Sequence, residues 1–286
     1  MQFSNLYYKY KLNLMAVLLT NKNRIWNLLH YLKNFRHYLK FRNKIILVYS
    51  QGRVGSFNTY STIRKNFPYL KVWHVHYLTE VGLEKIRDWH NFNYHKELKD
   101  EILKAIKKAK EVIIVNITRE PYSREVSFIF SDYERLIQEK YITNINDTIQ
   151  WQSYLVNQVD FNNYLDWYDY EFKEITKINI YDYSFDRINK FNVISNGKFN
   201  AYIFRLEDYD EVGLKVISSA LSVNENKIHL VKTSNEAKTK PYYDAYRNFK
   251  KLKFNKSALN YLYESKFFNH FYDNKEKSKL MNKHGI

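Results

Sequence analysis

Two turns and one strand end in this chain hold side chains whose types and spacing can do chemistry. In "IILVYSQGRVGSFNTY", residues 45–60, an apolar run stops at Gly52 and Gly55, which flank Arg53 and Val54 and lead into Ser56, Phe57 and Thr59. A glycine-flanked loop between a buried strand and a helix aims backbone N–H groups and the positive end of the helix dipole at one point, which suits a phosphate. The glycines permit unusual backbone angles and close approach, Arg53 adds a fixed bidentate charge, and Ser56 and Thr59 add hydroxyl donors. The G-x-x-x-x-G-K-[ST] spacing is missing, which counts against a metal-dependent nucleoside triphosphatase. Taken alone, the loop reads equally as a plain strand-to-helix turn.

The second turn, "ITREPYSREVS", puts Arg119 at a strand end and Ser127 eight residues on, one to two turns into the next helix. Two adjoining anion sites at the carboxyl ends of neighbouring parallel strands describe a pocket for a doubly phosphorylated nucleotide. The competing reading pairs Arg119 with Glu120 or Glu125 and leaves Ser127 as a cap or a surface residue. In "YLKVWHVHYL", residues 69–78, alternation places His74 and His76 on one face, with an intrinsic pKa near neutrality that suits proton removal. A hydrogen-bonded core histidine is the alternative for each, and Glu80 is a weaker candidate base.

The elements that must position these groups are legible as periodicity. "KIILVY" (44–49) and "VIIVNIT" (112–118) are short apolar runs of the kind found in buried central strands, and 69–78 reads as a strand between them. Helices are expected over 56–66, over 95–110 with Leu98, Ile102, Ile106 and Ala109 on one side, and from Pro121 onward with Val126, Phe130, Tyr133 and Ile137 inward. Residues 151–175 read as one or two helices, 191–207 as a hairpin through Asn196-Gly197, and the last third as helical and aromatic. The alternation of strand and helix implies an α/β fold with a mainly parallel sheet between helices.

Composition bounds the rest. The chain has 286 residues, 6 Gly and 3 Pro, so linkers are scarce and one α/β domain over 41–286 is expected behind a basic, amphipathic helical segment at 1–40. A net charge of +16 asks for an anionic partner, and the N-terminal segment can pack on the domain or rest on an anionic membrane surface. No apolar stretch of 18 residues occurs and there is no cysteine, so disulfides and thiolate metal sites are excluded and a cytoplasmic location is expected, with peripheral contact on the inner membrane face as the alternative. The basic residues are scattered, and no helix-turn-helix, zinc-finger or RNA-binding motif is present, so no specific nucleic acid is expected.

The phosphate loop after the first strand, with Arg119, Pro121 and Ser127 after a later one, resembles the sulfotransferases that use 3′-phosphoadenosine 5′-phosphosulfate (PAPS). Within that group the chain is similar to bacterial proteins described as capsular polysaccharide synthesis proteins with a sulfotransferase-like, P-loop-like three-layer fold. "QGRVGS", "HVHYL", "TREPYSREVSFIF", "YLDWYDYEF", "FRLEDYDEVG" and "LYESKFFNHFYD" carry the likeness, which spans roughly residues 44–275.

The resemblance implies that Gly52, Arg53, Val54, Gly55, Ser56 and Phe57 contact the 5′-phosphosulfate, and that Arg119 and Ser127 hold the 3′-phosphate. It also implies that His76 is the catalytic base, with His74 as the second candidate, and that no metal is needed. The family usually has lysine where this chain has Arg53, so Arg53 acts by charge and hydrogen bonding alone. The implied reaction moves a sulfuryl group from PAPS to a carbohydrate hydroxyl of a capsular or other surface glycan and releases 3′-phosphoadenosine 5′-phosphate. Arg205 and Glu207, at a later strand end, are expected to orient the acceptor or Arg53, or to form a structural ion pair. Lys232, Lys238 and Lys240 lie on a polar loop able to close over the nucleotide. The rival readings are a non-catalytic basic protein that binds nucleic acid or membrane, and a different nucleotide-dependent glycan-modifying transferase on the same fold.

Overall fold

The computed structural model describes residues 32, 35–87, 92–231, 240–252 and 259–284. A short helix α1 (Phe35–Phe41) leads into strand β1 (Lys44–Tyr49), helix α2 (Ser56–Asn66), strand β2 (Val72–Val75), and helices α3 (Glu80–Glu84) and α4 (Phe92–Lys108). Strand β3 (Glu111–Thr118) is followed by α5 (Pro121–Ser131), α6 (Tyr133–Gln138), α7 (Thr148–Asn157) and α8 (Asn162–Leu165). A π-helical turn at Tyr168–Phe172 runs into α9 (Lys173–Thr176), and the hairpin β4 (Phe191–Asn196) and β5 (Phe199–Arg205) precedes α10 (Tyr209–Leu221). The chain continues through α11 (Tyr243–Lys251), α12 (Asn260–Glu264), α13 (Lys266–Phe271) and α14 (Asn274–His284). Of the expected N-terminal segment only Leu32 and residues 35–40 fall among the described residues.

The strands form one five-stranded sheet in the order β2-β1-β3-β5-β4, with β4 alone antiparallel, so the molecule is α/β with a mostly parallel sheet flanked by helices. β1 and β3 are the apolar strands expected: Ile45 through Tyr49 and Val112 through Val115 are all buried, because both faces are covered. The β4–β5 turn needs two residues, Gly197 and Lys198, and Gly197 takes the left-handed conformation at φ 55°.

Three local expectations are corrected. β2 pairs only over Val72–Val75, because beyond it the His76 carbonyl accepts from Trp167 Nε1 (3.0 Å) and the Leu78 and Thr79 N–H groups turn to the Glu171 carboxylate. The helix after Pro121 breaks at Asp132, whose side chain accepts from Arg135 Nε at 2.7 Å, and the break buries Leu136 while Ile137 is exposed. β5 ends at Arg205 rather than Glu207, since Leu206–Asp208 winds into a 3₁₀ turn ahead of α10.

The order β2-β1-β3 means that the chain leaves β1 to one side and returns on the other. A crevice opens at such a reversal, outside the carboxyl ends of the strands. The turns after β1 and β3 flank it.

Candidate functional site

A cleft of about 720 Å³ occupies that crevice, a size usual for small-ligand sites. Gly52, Arg53, Gly55, Ser56 and Phe57 line it from the β1–α2 turn, His74 and His76 from the end of β2, and Arg119 and Ser127 from the β3–α5 connection. The two turns touch: Arg119 Nη1 donates to the Arg53 carbonyl at 3.1 Å.

The β1–α2 turn owes its shape to left-handed backbone at Arg53 (φ 67°) and Gly55 (φ 78°). At Gly55 a Cβ would stand 2.7 Å from Leu206 Cδ1, so the glycine is required on both counts. Gly52 has ordinary φ, and a Cβ there meets only Arg124 Nη2 and His76 Nε2 at 3.9 Å, which corrects the expectation that both glycines relieve strain. Val54 is wholly buried in the core and does not line the cleft.

Arg119 pairs with neither neighbouring acid. Glu120 caps α5, accepting from Tyr122 N–H (2.9 Å) and Ser123 N–H (2.7 Å), and Glu125 is bonded to Arg124. Arg119, Arg124 and Arg53 therefore face the cleft, and Asp210 is the one carboxylate among its described lining residues. Arg124 had no role in the sequence reading. It is buried, and its Nε donates to the Gly52 carbonyl at 3.0 Å, tying α5 to the loop. The available signal was helical spacing, which puts Arg124, Ser127 and Phe128 on one face of α5.

The histidines differ in their bonds. His76 Nδ1 lies 2.5 Å from the Ser50 carbonyl, which can only accept, so Nδ1 carries the proton and Nε2 is left with a lone pair near Gly52. Burial, with help from Arg124 and Arg53, lowers its pKa to about 4 even against that hydrogen bond. His74 Nε2 is 2.9 Å from Ser56 Oγ, and burial next to His76 takes its pKa to about 3. Both rings are neutral at pH 7. The rings pack edge to face with centroids 4.7 Å apart.

Three residues that sequence reasoning did not single out hold the cleft-lining turns from behind. The Tyr164 hydroxyl donates to the Arg119 carbonyl (2.5 Å) and accepts from the Arg119 N–H (2.9 Å). Trp167 bonds the His76 carbonyl. Glu171, fully buried in the π-helical turn, accepts from the Tyr49 hydroxyl, the Leu78 and Thr79 N–H groups and the Thr79 hydroxyl. Their spacing of three and four residues puts all three on one helical face.

Other expected site residues are not brought to the cleft. Glu80 pairs with Lys99 of α4, whose side chain is 6% exposed. Arg205 is buried in a network with Asp208 (2.6 Å), Glu276 (2.7 Å) and the Phe271 carbonyl (2.9 Å). Glu207 accepts from the Glu120 N–H (2.9 Å) and the Tyr272 hydroxyl (3.1 Å), so it braces the start of α5. Lys240 is exposed and is not among the lining residues, and Lys232 and Lys238 lie outside the described residues.

Residues 140–273, just under half of the chain, match the NKWYS family model, whose description is "Putative capsular polysaccharide synthesis protein". The matched segment contains Tyr164, Trp167 and Glu171 but neither the β1–α2 turn nor the start of α5. No curated protein and no solved structure matches the chain. No helix among the described residues is long and apolar enough to cross a membrane.

Proposed function

We propose that the protein is a PAPS-dependent carbohydrate sulfotransferase on a P-loop-like scaffold, acting on a capsular or other surface glycan. The observation that carries this reading is the meeting of Arg53, Arg119 and Ser127 with an oriented, neutral His76 in one cationic cleft. The similarity of residues 140–273 to a capsular polysaccharide synthesis family supports a glycan as acceptor.

The cleft fits the nucleotide by charge and size. Two guanidinium groups, Arg53 and Arg119, face one carboxylate, Asp210, in a volume of about 720 Å³, and the third, Arg124, is paired with Glu125. Gly52, Arg53, Gly55, Ser56 and the N-terminus of α2 would hold the 5′ end, and Arg119 with Ser127 the 3′-phosphate. When bound, PAPS supplies an activated sulfuryl group whose bond to the phosphate breaks as the acceptor oxygen attacks sulfur. His76 Nε2, unprotonated at pH 7 but made a weaker base than the near-neutral imidazole expected because burial lowers its pKa to about 4, takes the proton from the acceptor hydroxyl, with the Ser50 carbonyl stabilising the imidazolium through Nδ1. Arg53 and the loop N–H groups stabilise the charge that grows on the departing phosphate oxygen. Arg124 keeps that loop in place through Gly52.

Calorimetry tests the two-phosphate claim. 3′-Phosphoadenosine 5′-phosphate should bind, and more tightly than AMP, with a loss of about tenfold or more in Arg119→Ala. Equal affinity for both nucleotides would refute it. Sulfate transfer from labelled PAPS to glycans extracted from the source cell should fall at least about 100-fold in His76→Ala.

A further inference from the structure

A second cavity of about 220 Å³ lies beside the cleft, and Tyr77, Arg124 and Phe128 line both. Its inner wall comes from Gln51, Glu125 and Leu136, all buried, and its rim from the exposed Arg135, Gln158 and Asp160. α5, α6, α7 and the connection from α7 to α8 thus border a space that shares three side chains with the cleft holding His76.

The charge of this space differs from that of its neighbour. Three cationic residues, Lys85, Arg124 and Arg135, meet three carboxylates, Glu125, Asp132 and Asp160. Arg124 pairs with Glu125, and Arg135 with Asp132 at 2.6 Å, so four of the six are already neutralised. Lys85 and Asp160 balance the remainder. The cleft selects for phosphate, and the smaller cavity does not.

The walls instead offer hydrogen-bonding groups with aromatic surface between them. Gln158, Asp160 and Asn163 stand near Tyr77, Phe128 and Tyr154. Asn163 lines the cavity, and its buried Oδ1 has no hydrogen-bond partner among the described residues, so no such bond fixes that oxygen in place. Polar groups fixed around aromatic faces are what a polyhydroxylated ring requires, since its hydroxyls need partners and its C–H faces need apolar contact.

We infer that this cavity is the acceptor subsite and that it takes a neutral sugar residue of the glycan. The inference rests on reading the larger cleft as the donor site. On this assignment a hydroxyl of the seated sugar reaches past the shared wall of Tyr77, Arg124 and Phe128 toward His76 Nε2 while the ring remains outside the cationic cleft. An acidic sugar brings its carboxylate against Asp160 and is disfavoured.

The test uses the full chain saturated with 3′-phosphoadenosine 5′-phosphate, titrated by NMR with galactose, N-acetylglucosamine and glucuronic acid. At least one neutral sugar is expected to bind about tenfold more tightly than glucuronate. Asn163→Ala should weaken that sugar about tenfold, and Asp160→Asn, which keeps the side-chain acceptor for the Asn162 N–H, should raise glucuronate affinity toward the neutral value. Neither change should alter nucleotide affinity. Glucuronate binding as well as the neutral sugars, or sugar binding indifferent to both substitutions, overturns the assignment. Failure of the nucleotide itself to bind refutes the donor site and with it the acceptor role, and the nucleotide titration reads this out separately.

Discussion

Acidification gives a quantitative test of how His76 is held. Its pKa falls from an ordinary 6.5 to about 4, so on lowering the pH the unfolded chain takes up a proton that the folded protein refuses. Stability rises with pH wherever the unfolded state binds more protons. The His76 contribution is therefore intact above pH 6.5, is lost progressively between 6.5 and 4, and is fully lost below 4. At about 1.4 kcal/mol per unit, the loss is on the order of 3 kcal/mol. His76→Asn isolates it, because the Asn side-chain amide can still donate to the Ser50 carbonyl but does not titrate. Urea unfolding of both proteins at pH 7.5, 5.5 and 4.0 should show the wild type losing about 3 kcal/mol relative to the variant, with other acid-sensitive groups cancelling. A wild-type-minus-variant difference that stays constant with pH, or a His76 ring titrating near 6.5 by NMR, would refute the reasoning.

Three further outcomes follow from packing. Gly55→Ala should cost about 2–3 kcal/mol, from left-handed backbone and the crowded Leu206, while Gly52→Ala stays close to neutral; denaturant midpoints check the contrast. Glu171→Ala strips the acceptor from Tyr49, Leu78 and Thr79 and should cost about 3–5 kcal/mol by urea unfolding, with Glu171→Gln retaining part of it. Arg205→Met leaves buried Asp208 with only Lys190, at 3.8 Å, as a cationic partner and should lower stability by about 1–3 kcal/mol, yet leave nucleotide affinity measured by calorimetry at native temperature unchanged.

The sheet was legible where burial on both faces writes a continuous apolar run, as in β1 and β3, and where Gly197 marks a tight hairpin. β2 was read too long because alternation in "YLKVWHVHYL" continues past the point where Trp167 and Glu171 take over the backbone groups. The gathering of Arg53, Arg119, Ser127 and the histidines was legible from turns at strand ends, which parallel topology brings to one side. Arg124, Tyr164 and Glu171 were not. Charged or hydroxylated residues on a helix read as solvent-facing until the packing of other elements buries them. Arg205 failed in the opposite sense: a strand-end position near the site says nothing of the acids at 208 and 276 that claim its guanidinium.

β3 lies in the middle of the sheet, hydrogen-bonded to β1 on one side and to β5 on the other. The boundary of the family-like segment thus runs along a seam of paired backbone rather than through a linker. Excising residues 140–273 would bare one edge on each fragment, with Val112 to Val115 on one and Ala201 to Phe204 on the other, both apolar enough to aggregate. The recognisable portion of this chain shares its sheet with the strands that precede it.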